Sequence, residues 1–261
     1  MRGHYPRSTT QMTNYMSHVK NVQNLDKVIA ICTGLGGNYN PGNQNLSVES
    51  LTTMLNNAQA ALQSIDVAKT NSEYATNNRE VAFEDIRKLA ARIVSELKSS
   101  GVLVQTVHDA RSAQRKLTGF RVSRDPVSPD IAKKGPPPVP APEEKPNARG
   151  LDYITMAASF AKLLQTLRTE PKYQPLAEDL KLPALEAKLD DLLAKNDKVM
   201  QTALELQTAR SLRNELLYIR DGNVHETFHA VKQGIKATYG TNSVSYQNLV
   251  GVFFTKPITR L

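Results

Sequence analysis

Apolar residues recur at helical spacing in the stretch that follows Ser47. They stand three or four positions apart, at Val48, Leu51, Leu55, Ala58, Leu62 and Ile65. Because an α-helix turns once in about 3.6 residues, this spacing collects the apolar side chains into one stripe along a helix. Serine is a favoured N-cap residue. We therefore predict a long amphipathic helix that begins after Ser47 and packs through its stripe as a bundle or coiled-coil seam.

The same pattern returns in the second half of the chain, 134 positions later (182 − 48). The turn Tyr39-Asn40-Pro41 is matched there by Tyr173-Gln174-Pro175, and Arg79 is matched by Arg213. Residues of the two halves match at one constant offset over more positions than helical periodicity alone would produce, so we predict an internal duplication. The polar residue Asn196 within the second seam is of the kind that fixes the register or the partner of a helix. The second seam consists of Leu182, Leu185, Leu189, Leu192, Asn196 and Val199.

A proline-rich segment separates the two predicted copies. Eight of the 14 prolines lie between Asp125 and Asn147, and proline excludes a helix interior or a central strand. We expect an extended spacer there, close to polyproline II. The predicted organisation is a flexible basic arm at 1–20, a first helical module at 21–120, a proline-rich linker at 121–148, a second module at 149–242 and a C-terminal tail at 243–261.

The predicted fold class is all-α, with two tandem copies of a helical hairpin or bundle module. The chain has no tryptophan and few phenylalanines, so its core must consist mostly of Leu, Ile, Val and Ala. In the first module we expect helices over about 23–35, from 47 to a break at Thr70-Asn71-Ser72, around Phe83 to Leu97, and at 104–117. In the second, a helix over about 151–167 precedes the seam, and the end at 249–254 docks as an extended tail.

Three strings give the chain a likeness to known proteins. They are the Tyr-x-Pro turn before each seam, the segment Tyr239-Gly240-Thr241-Asn242-Ser243, and the ending Gly251-Val252-Phe253-Phe254-Thr255-Lys256-Pro257. In these strings the chain resembles a family of duplicated, all-helical, functionally uncharacterised bacterial proteins over most of residues 20–257. The motifs are structural, so the resemblance implies the fold and transfers no catalytic or binding residue.

Positive charge is concentrated near the linker. The chain carries a net charge of +8, and seven basic but only two acidic residues lie between Arg111 and Lys134. This segment is either a solvated basic surface or a contact for a polyanion or an acidic protein face. Apart from Phe120 it lacks aromatic residues for base stacking, so any contact with nucleic acid would be made to phosphates. The candidate residues are Arg111, Arg115, Lys116, Arg121, Arg124, Lys133 and Lys134.

The string His225-Glu226-Thr227-Phe228-His229 fits the H-E-x-x-H pattern. On a helix its two histidines share a face and can bind zinc, with the glutamate as general base. A third ligand is required, but no Asp, Glu or Cys follows and no histidine comes after His229. Upstream, His4, His18, His108 or a carboxylate remain formal alternatives. We expect exposed histidines on an amphipathic helix, and no metal site.

Other catalytic patterns are not indicated. Gly34-x-Gly36-Gly37 follows a predicted helix and precedes a loop, which is typical of a helix end rather than a phosphate-binding loop. The single cysteine, Cys32, stands in an apolar run and is expected to be a buried side chain. One cysteine and the absence of a signal segment or a long apolar run predict a cytoplasmic protein without a membrane span. We expect no cofactor and no catalytic residue.

These patterns favour a non-enzymatic structural or scaffold protein. Its helical seams and extended arms would associate with further copies of the chain or with another protein, and the seams pair either within the chain or between chains. The alternative is a basic nucleic-acid- or ribosome-associated protein that binds phosphates through residues 111–134 and the N-terminal arm.

Overall fold

The computed structural model of the chain describes residues 9–118 and 152–256. Within these ranges the protein is helical and contains no β-strand, which confirms the all-α prediction. No helix in them is both long and apolar enough to cross a membrane. The predicted linker lies outside the described residues. The helices are α1 (Thr9–Gly34), α2 (Val48–Phe83), α3 (Ile86–Ser99), α4 (Val104–Thr118), α5 (Tyr153–Arg168), α6 (Leu182–Asn214), α7 (Val224–Tyr239) and α8 (Val244–Val250).

Side-chain caps determine where several helices begin. Ser47, Asp152, Asn223 and Ser243 precede α2, α5, α7 and α8, and each accepts a hydrogen bond from a backbone N–H two or three residues later, at 3.2, 3.3, 2.9 and 3.2 Å respectively. Such bonds satisfy amide groups that have no partner inside the helix. Ser47 is therefore the N-cap that the sequence predicted.

The described helices form two compact units, and the division falls within α2 and within α6. Unit 1 comprises the described residues up to Ser72 together with those from Thr202 onward. Unit 2 comprises the described residues between Glu73 and Gln201. Each unit thus combines helices from both sides of the predicted linker, whereas the predicted modules were continuous stretches of sequence.

The core of unit 1 joins α1 and the first part of α2 to α7 and α8. A π-helical turn, Glu215–Ile219, directly follows α6 and also supplies core residues. A smaller cluster of Ile65, Ala68 and Ala209 lies where α2 and α6 pack in this unit. The buried residues of the larger cluster include Leu25, Val28, Cys32, Leu51, Ala58, Leu217, Val224, Phe228, Val231, Ile235 and Leu249.

The core of unit 2 joins the end of α2, α3 and α4 to α5 and the first part of α6. α5 contributes a run of fully buried side chains because its apolar residues recur at both three- and four-residue intervals, which buries a wide face. Two ion pairs lie on the surface of this unit: Arg92 of α3 with Asp179 of the turn before α6, and Arg168 of α5 with Glu186 of α6. The buried residues include Ile86, Ala90, Ile93, Leu97, Ala110, Leu117, Phe160, Leu163, Leu164, Leu167, Leu185 and Leu192.

Two parts of the chain are more helical than the sequence pattern indicated. α1 begins at Thr9 rather than near residue 23, so 9–20 are helix and not a flexible arm. The buried positions His18 and Asn21 carry polar side chains, which hides the apolar period. α8 lies within the predicted tail, where Ser243 caps it, and only the residues after Gly251 are extended.

α2 also continues through Thr70-Asn71-Ser72, where a break was predicted. These residues are weak helix formers, but each costs only about 0.5 kcal/mol relative to alanine. Ala68 and Ala75 are buried on either side of them. The packing of these flanking alanines outweighs the weak local preference, and the helix reaches 36 residues.

Candidate functional site

Most of the two predicted seams is packed inside the protein. Leu51 and Leu55 are buried in the core of unit 1, and Leu185 and Leu192 are buried in the core of unit 2. Ile65 is buried in the smaller cluster of unit 1. Ala58 is buried in the core of unit 1, and the remaining apolar seam residues are partly buried: Val48, Leu62, Leu182, Leu189 and Val199. A partner protein would therefore have to contact other surfaces of these helices.

Asn196 is buried as well, with an exposed fraction of 5%. Its Nδ2 donates a hydrogen bond to the backbone oxygen of Tyr153 at 3.3 Å. Its Oδ1 has no partner among the described residues. The ring of Tyr153 lies 4.3 Å from the guanidinium carbon of Arg79 and 4.9 Å from the ring of Phe83. Asn196 thus anchors the start of α5 within unit 2.

Three of the predicted polyanion-binding residues lie on α4. This helix buries Val107, Ala110, Ala113 and Leu117. Arg115 and Lys116 are exposed and Arg111 is half-buried, so the basic side chains lie away from the buried face. The other four candidates, Arg121, Arg124, Lys133 and Lys134, lie outside the described residues, as do residues 1–8 of the N-terminal arm.

The H-E-x-x-H string forms the start of α7. The carboxylate of Glu226 accepts a hydrogen bond from the backbone N–H of Gly222 at 3.1 Å, and its own N–H donates to the Asn223 side chain at 2.9 Å. This arrangement is close to a capping box, except that Glu226 bonds to the N–H of the residue before the N-cap Asn223, and it stabilises the helix start. The rings of His225 and His229 are 4.6 Å apart. Burial, and then the nearby charges of His229 and Lys256, lower the pKa of His225.

Among the described residues, no third ligand accompanies this histidine pair. Across the ranges 9–118 and 152–256, no three His, Cys, Asp or Glu side chains are grouped so that they could hold a metal ion. Cys32 is a free and fully buried cysteine, as predicted. Burial raises the pKa of its thiol, which opposes nucleophilic chemistry.

A cleft of about 230 Å³ opens in unit 1 between the loop 38–46 and the last turns of α7. We call it the Tyr39 cleft. Tyr39 and Tyr239 stand among its walls, and Gly234 lies on the α7 side. Asn38, Asn40 and Asn43 supply side-chain amides. The other lining residues are Pro41, Gly42, Leu46, Val231, Ile235, Ala237 and Thr238.

The loop of the Tyr39 cleft is held by its own hydrogen bonds. The Tyr39 hydroxyl donates to the backbone oxygen of Leu46 at 2.7 Å, and the Tyr239 hydroxyl donates to that of Asn38. The side chain of Asn43 accepts from the N–H of Asn45 at 3.0 Å. Burial is the main cause that raises the pKa of Tyr39, so its phenol is neutral at physiological pH. The cleft is therefore a fixed, uncharged shape.

A buried polar network in unit 1 holds the end of the described chain. Asn21 donates through Nδ2 to the Tyr218 hydroxyl at 2.9 Å and to the Thr255 backbone oxygen at 2.8 Å, and its Oδ1 accepts from the Thr255 N–H at 3.1 Å. Asn24 donates to the Phe253 backbone oxygen at 2.8 Å. The two asparagines thus bind the extended segment 253–255 by its backbone, much as a neighbouring strand would.

Sequence reasoning missed both the cleft and this network. The sequence indicated only a loop after Gly37, and a polar residue at a buried helix position gives no periodic signal. Gly234 in the interior of α7 is the one local signal that points to the cleft.

Comparisons of the chain with protein-family models, with curated proteins and with solved structures gave no significant match.

Proposed function

We propose that the protein is a non-enzymatic helical scaffold that associates with further copies of itself. The observation that carries this proposal is a set of large apolar side chains exposed on unit 2. Tyr74 and Val81 of α2 have exposed fractions of 68% and 71%, and Leu193 and Met200 of α6 have 44% and 62%. Members of each pair are seven residues apart, or two turns, so they lie on the same face of their helix.

Exposed apolar side chains in a regular stripe differ from the single ones that any surface carries. Burial of one such side chain stabilises a complex by about 1.5–3 kcal/mol. In a symmetric dimer the same stripe is buried on both chains, so each residue contributes twice. The exposed apolar pairs on α2 and α6 are separate from the packed seams. Association through these pairs therefore leaves the cores of the units intact.

We also propose that the chain consists of two tandem copies of one helical module. The Tyr39 hydroxyl bonds to the Leu46 oxygen at 2.7 Å, and the Tyr173 hydroxyl bonds to the Leu180 oxygen at 2.9 Å, each across seven residues. A short 3-10 turn precedes the long helix in both places, Gln44–Leu46 before α2 and Glu178–Leu180 before α6. These matched details support the duplication.

Sedimentation velocity on the full chain tests self-association. The double variant Tyr74→Glu/Val81→Glu places two charges in the α2 stripe, and we expect it to shift the dimer toward monomer at least tenfold. The control Asn57→Glu/Ser64→Glu adds the same charge at exposed polar positions of α2 that lie about a quarter-turn around the helix from Tyr74 and Val81, and it should sediment as the parent does. A monomeric parent protein at all concentrations, or equal weakening by both variants, would rule out this stripe.

Phosphate binding is the second candidate function, and the exposed basic side chains of α4 favour it. Arg115 and Lys116 lie opposite its buried face. Phosphate contacts release counterions, so binding of a nucleic acid must weaken steeply with salt, whereas apolar self-association persists in 1 M salt. Sedimentation read at 260 and 280 nm, at 0.1 M and 1 M salt, separates the two. Arg115→Glu/Lys116→Glu should abolish only the salt-sensitive binding.

A further inference from the structure

We propose that the Tyr39 cleft of unit 1 binds a neutral, hydroxyl-rich ligand the size of a single hexose. None of its lining residues is an Asp, Glu, Lys, Arg or His. A charged ligand would lose its hydration without gaining a counter-charge, which is costly. The cleft is therefore suited to an uncharged ligand that forms hydrogen bonds. Its volume, about 230 Å³, is below that of sites for drug-sized molecules and accommodates one sugar ring.

The polar groups of the cleft match hydroxyls. Among the described residues, the side-chain amides of Asn38 and Asn40 have no hydrogen-bond partner, and Asn43 uses only its oxygen, as the cap of a 3-10 turn. An amide offers two N–H donors beside an acceptor oxygen, whereas a hydroxyl both donates and accepts. Neighbouring hydroxyls of a sugar can therefore pair with one amide. The Tyr39 and Tyr239 hydroxyls are already engaged, so their rings serve as walls.

Gly234 indicates that the cleft is kept open. It lies in the interior of α7, where glycine costs about 1 kcal/mol relative to alanine. A Cβ atom at this position would have no heavy atom within 4 Å, and its backbone is not left-handed, so neither packing nor conformation requires glycine. A side chain there would project into open space at the cleft. Gly234 is exposed and lines the cleft, so a large side chain placed at this position can be used to obstruct it.

The corresponding place in unit 2 has a different character. Glu96 is the eleventh residue of α3, as Gly234 is the eleventh of α7. The pKa of Tyr173, the counterpart of Tyr39, is raised to about 12, first by burial and then by the charges of Glu96 and Asp179. A carboxylate thus lies near the Tyr173 loop, whereas the Tyr39 loop faces a glycine. The two loops therefore differ in the charge of their surroundings.

Saturation-transfer NMR on the full chain tests the proposal with D-glucose, D-galactose and N-acetyl-D-glucosamine as probes. We expect transfer to at least one sugar, with a Kd on the order of 1 mM for a ligand of this size. Gly234→Phe should weaken binding at least tenfold by filling the cleft, and Gly234→Ala should retain it. Gln233→Phe, at the exposed neighbouring position that does not line the cleft, is the matched control.

Thermal unfolding of each variant establishes that it is folded before its binding is compared. Two results would overturn the proposal: no transfer to any of the three sugars, or undiminished transfer in Gly234→Phe. Equal loss in Gln233→Phe would also contradict it, since the effect would not be located in the cleft. Glucose 6-phosphate should bind less well than glucose, and tighter binding of the phosphate would refute the neutral ligand class.

Discussion

At the scale of single residues, His18 carries a titratable group that the fold holds in its neutral form. Its side chain is 4% exposed, and its Nδ1 lies 2.8 Å from the Tyr218 hydroxyl. Burial, and secondarily the charge of Arg213, lower the pKa of His18 to about 4, against 6.5 for a solvated histidine. Between these two values the unfolded chain binds a proton that the folded chain does not, so acid favours unfolding.

We expect the free energy of unfolding to fall by about 2 kcal/mol between pH 7 and pH 5 because of His18 alone. The loss of stability begins as the pH falls through 6.5, the pKa of His18 in the unfolded chain. It increases until the pH reaches about 4, the pKa in the folded chain. Urea unfolding at the two pH values measures it. His18→Asn keeps a polar group near the Nδ1 position but cannot titrate, so its loss of stability on acidification should be smaller by that amount. An equal loss in both proteins would contradict a neutral His18.

The sequence revealed buried residues only where they were apolar. Leu51 and Leu185 were identified from helical spacing and are fully buried. His18 and Asn21 are buried too, yet their partner Tyr218 stands 200 and 197 positions away along the chain. A polar side chain is buried only when such a partner is present, and the partner is supplied by the tertiary fold. Local pattern therefore carries no signal for the network.

At the scale of elements, the segment 253–255 has no internal hydrogen-bonding pattern of its own. Its backbone groups are satisfied by Asn21 and Asn24 on α1. The ring of Phe254 stacks on that of Phe228 at 4.2 Å and adds apolar contact. The segment docks because two side chains of a helix replace the missing strand partner.

Asn24→Ala should loosen this segment by removing the bond to Phe253, at a cost of about 1 kcal/mol. Hydrogen exchange is the appropriate measurement: the Thr255 amide should exchange several-fold faster, while amides in the middle of α5 remain protected. Asn21→Ala also leaves the Thr255 N–H without a partner and should accelerate its exchange further. Slow exchange at Thr255 in both variants would mean that the asparagines do not hold the segment.

Element types were predicted better than element ends. α5 and α4 were predicted nearly to their observed bounds, because their apolar residues recur at helical spacing. The break predicted within α2 is wrong, since Thr70-Asn71-Ser72 opposes a helix only weakly and buried alanines on either side hold it. The Tyr39 cleft needed the fold as well, because its loop and Gly234 are almost 200 positions apart in the sequence.

At the scale of the whole molecule, each unit is built from both sides of residues 119–151. In unit 1, Leu25 and Leu51 share a core with Phe228 and Ile235. In unit 2, Ile93 and Leu97 share a core with Phe160 and other residues of α5. We therefore expect the two halves to stay associated when the chain between them is cut. The covalent link raises the effective concentration of the two halves.

A specific protease site inserted in the predicted linker, for example after Pro138, tests whether the two halves stay associated once the chain between them is cut. After cleavage we expect the two fragments to remain associated and to elute together, because separating them would expose the cores of both units at once. They should separate in denaturant and reassociate when it is removed. Phe160→Ala, which should destabilise by about 3–5 kcal/mol, ought to promote their separation at lower denaturant. Fragments that part under native conditions would show that each half folds by itself, and the division into composite units would be wrong.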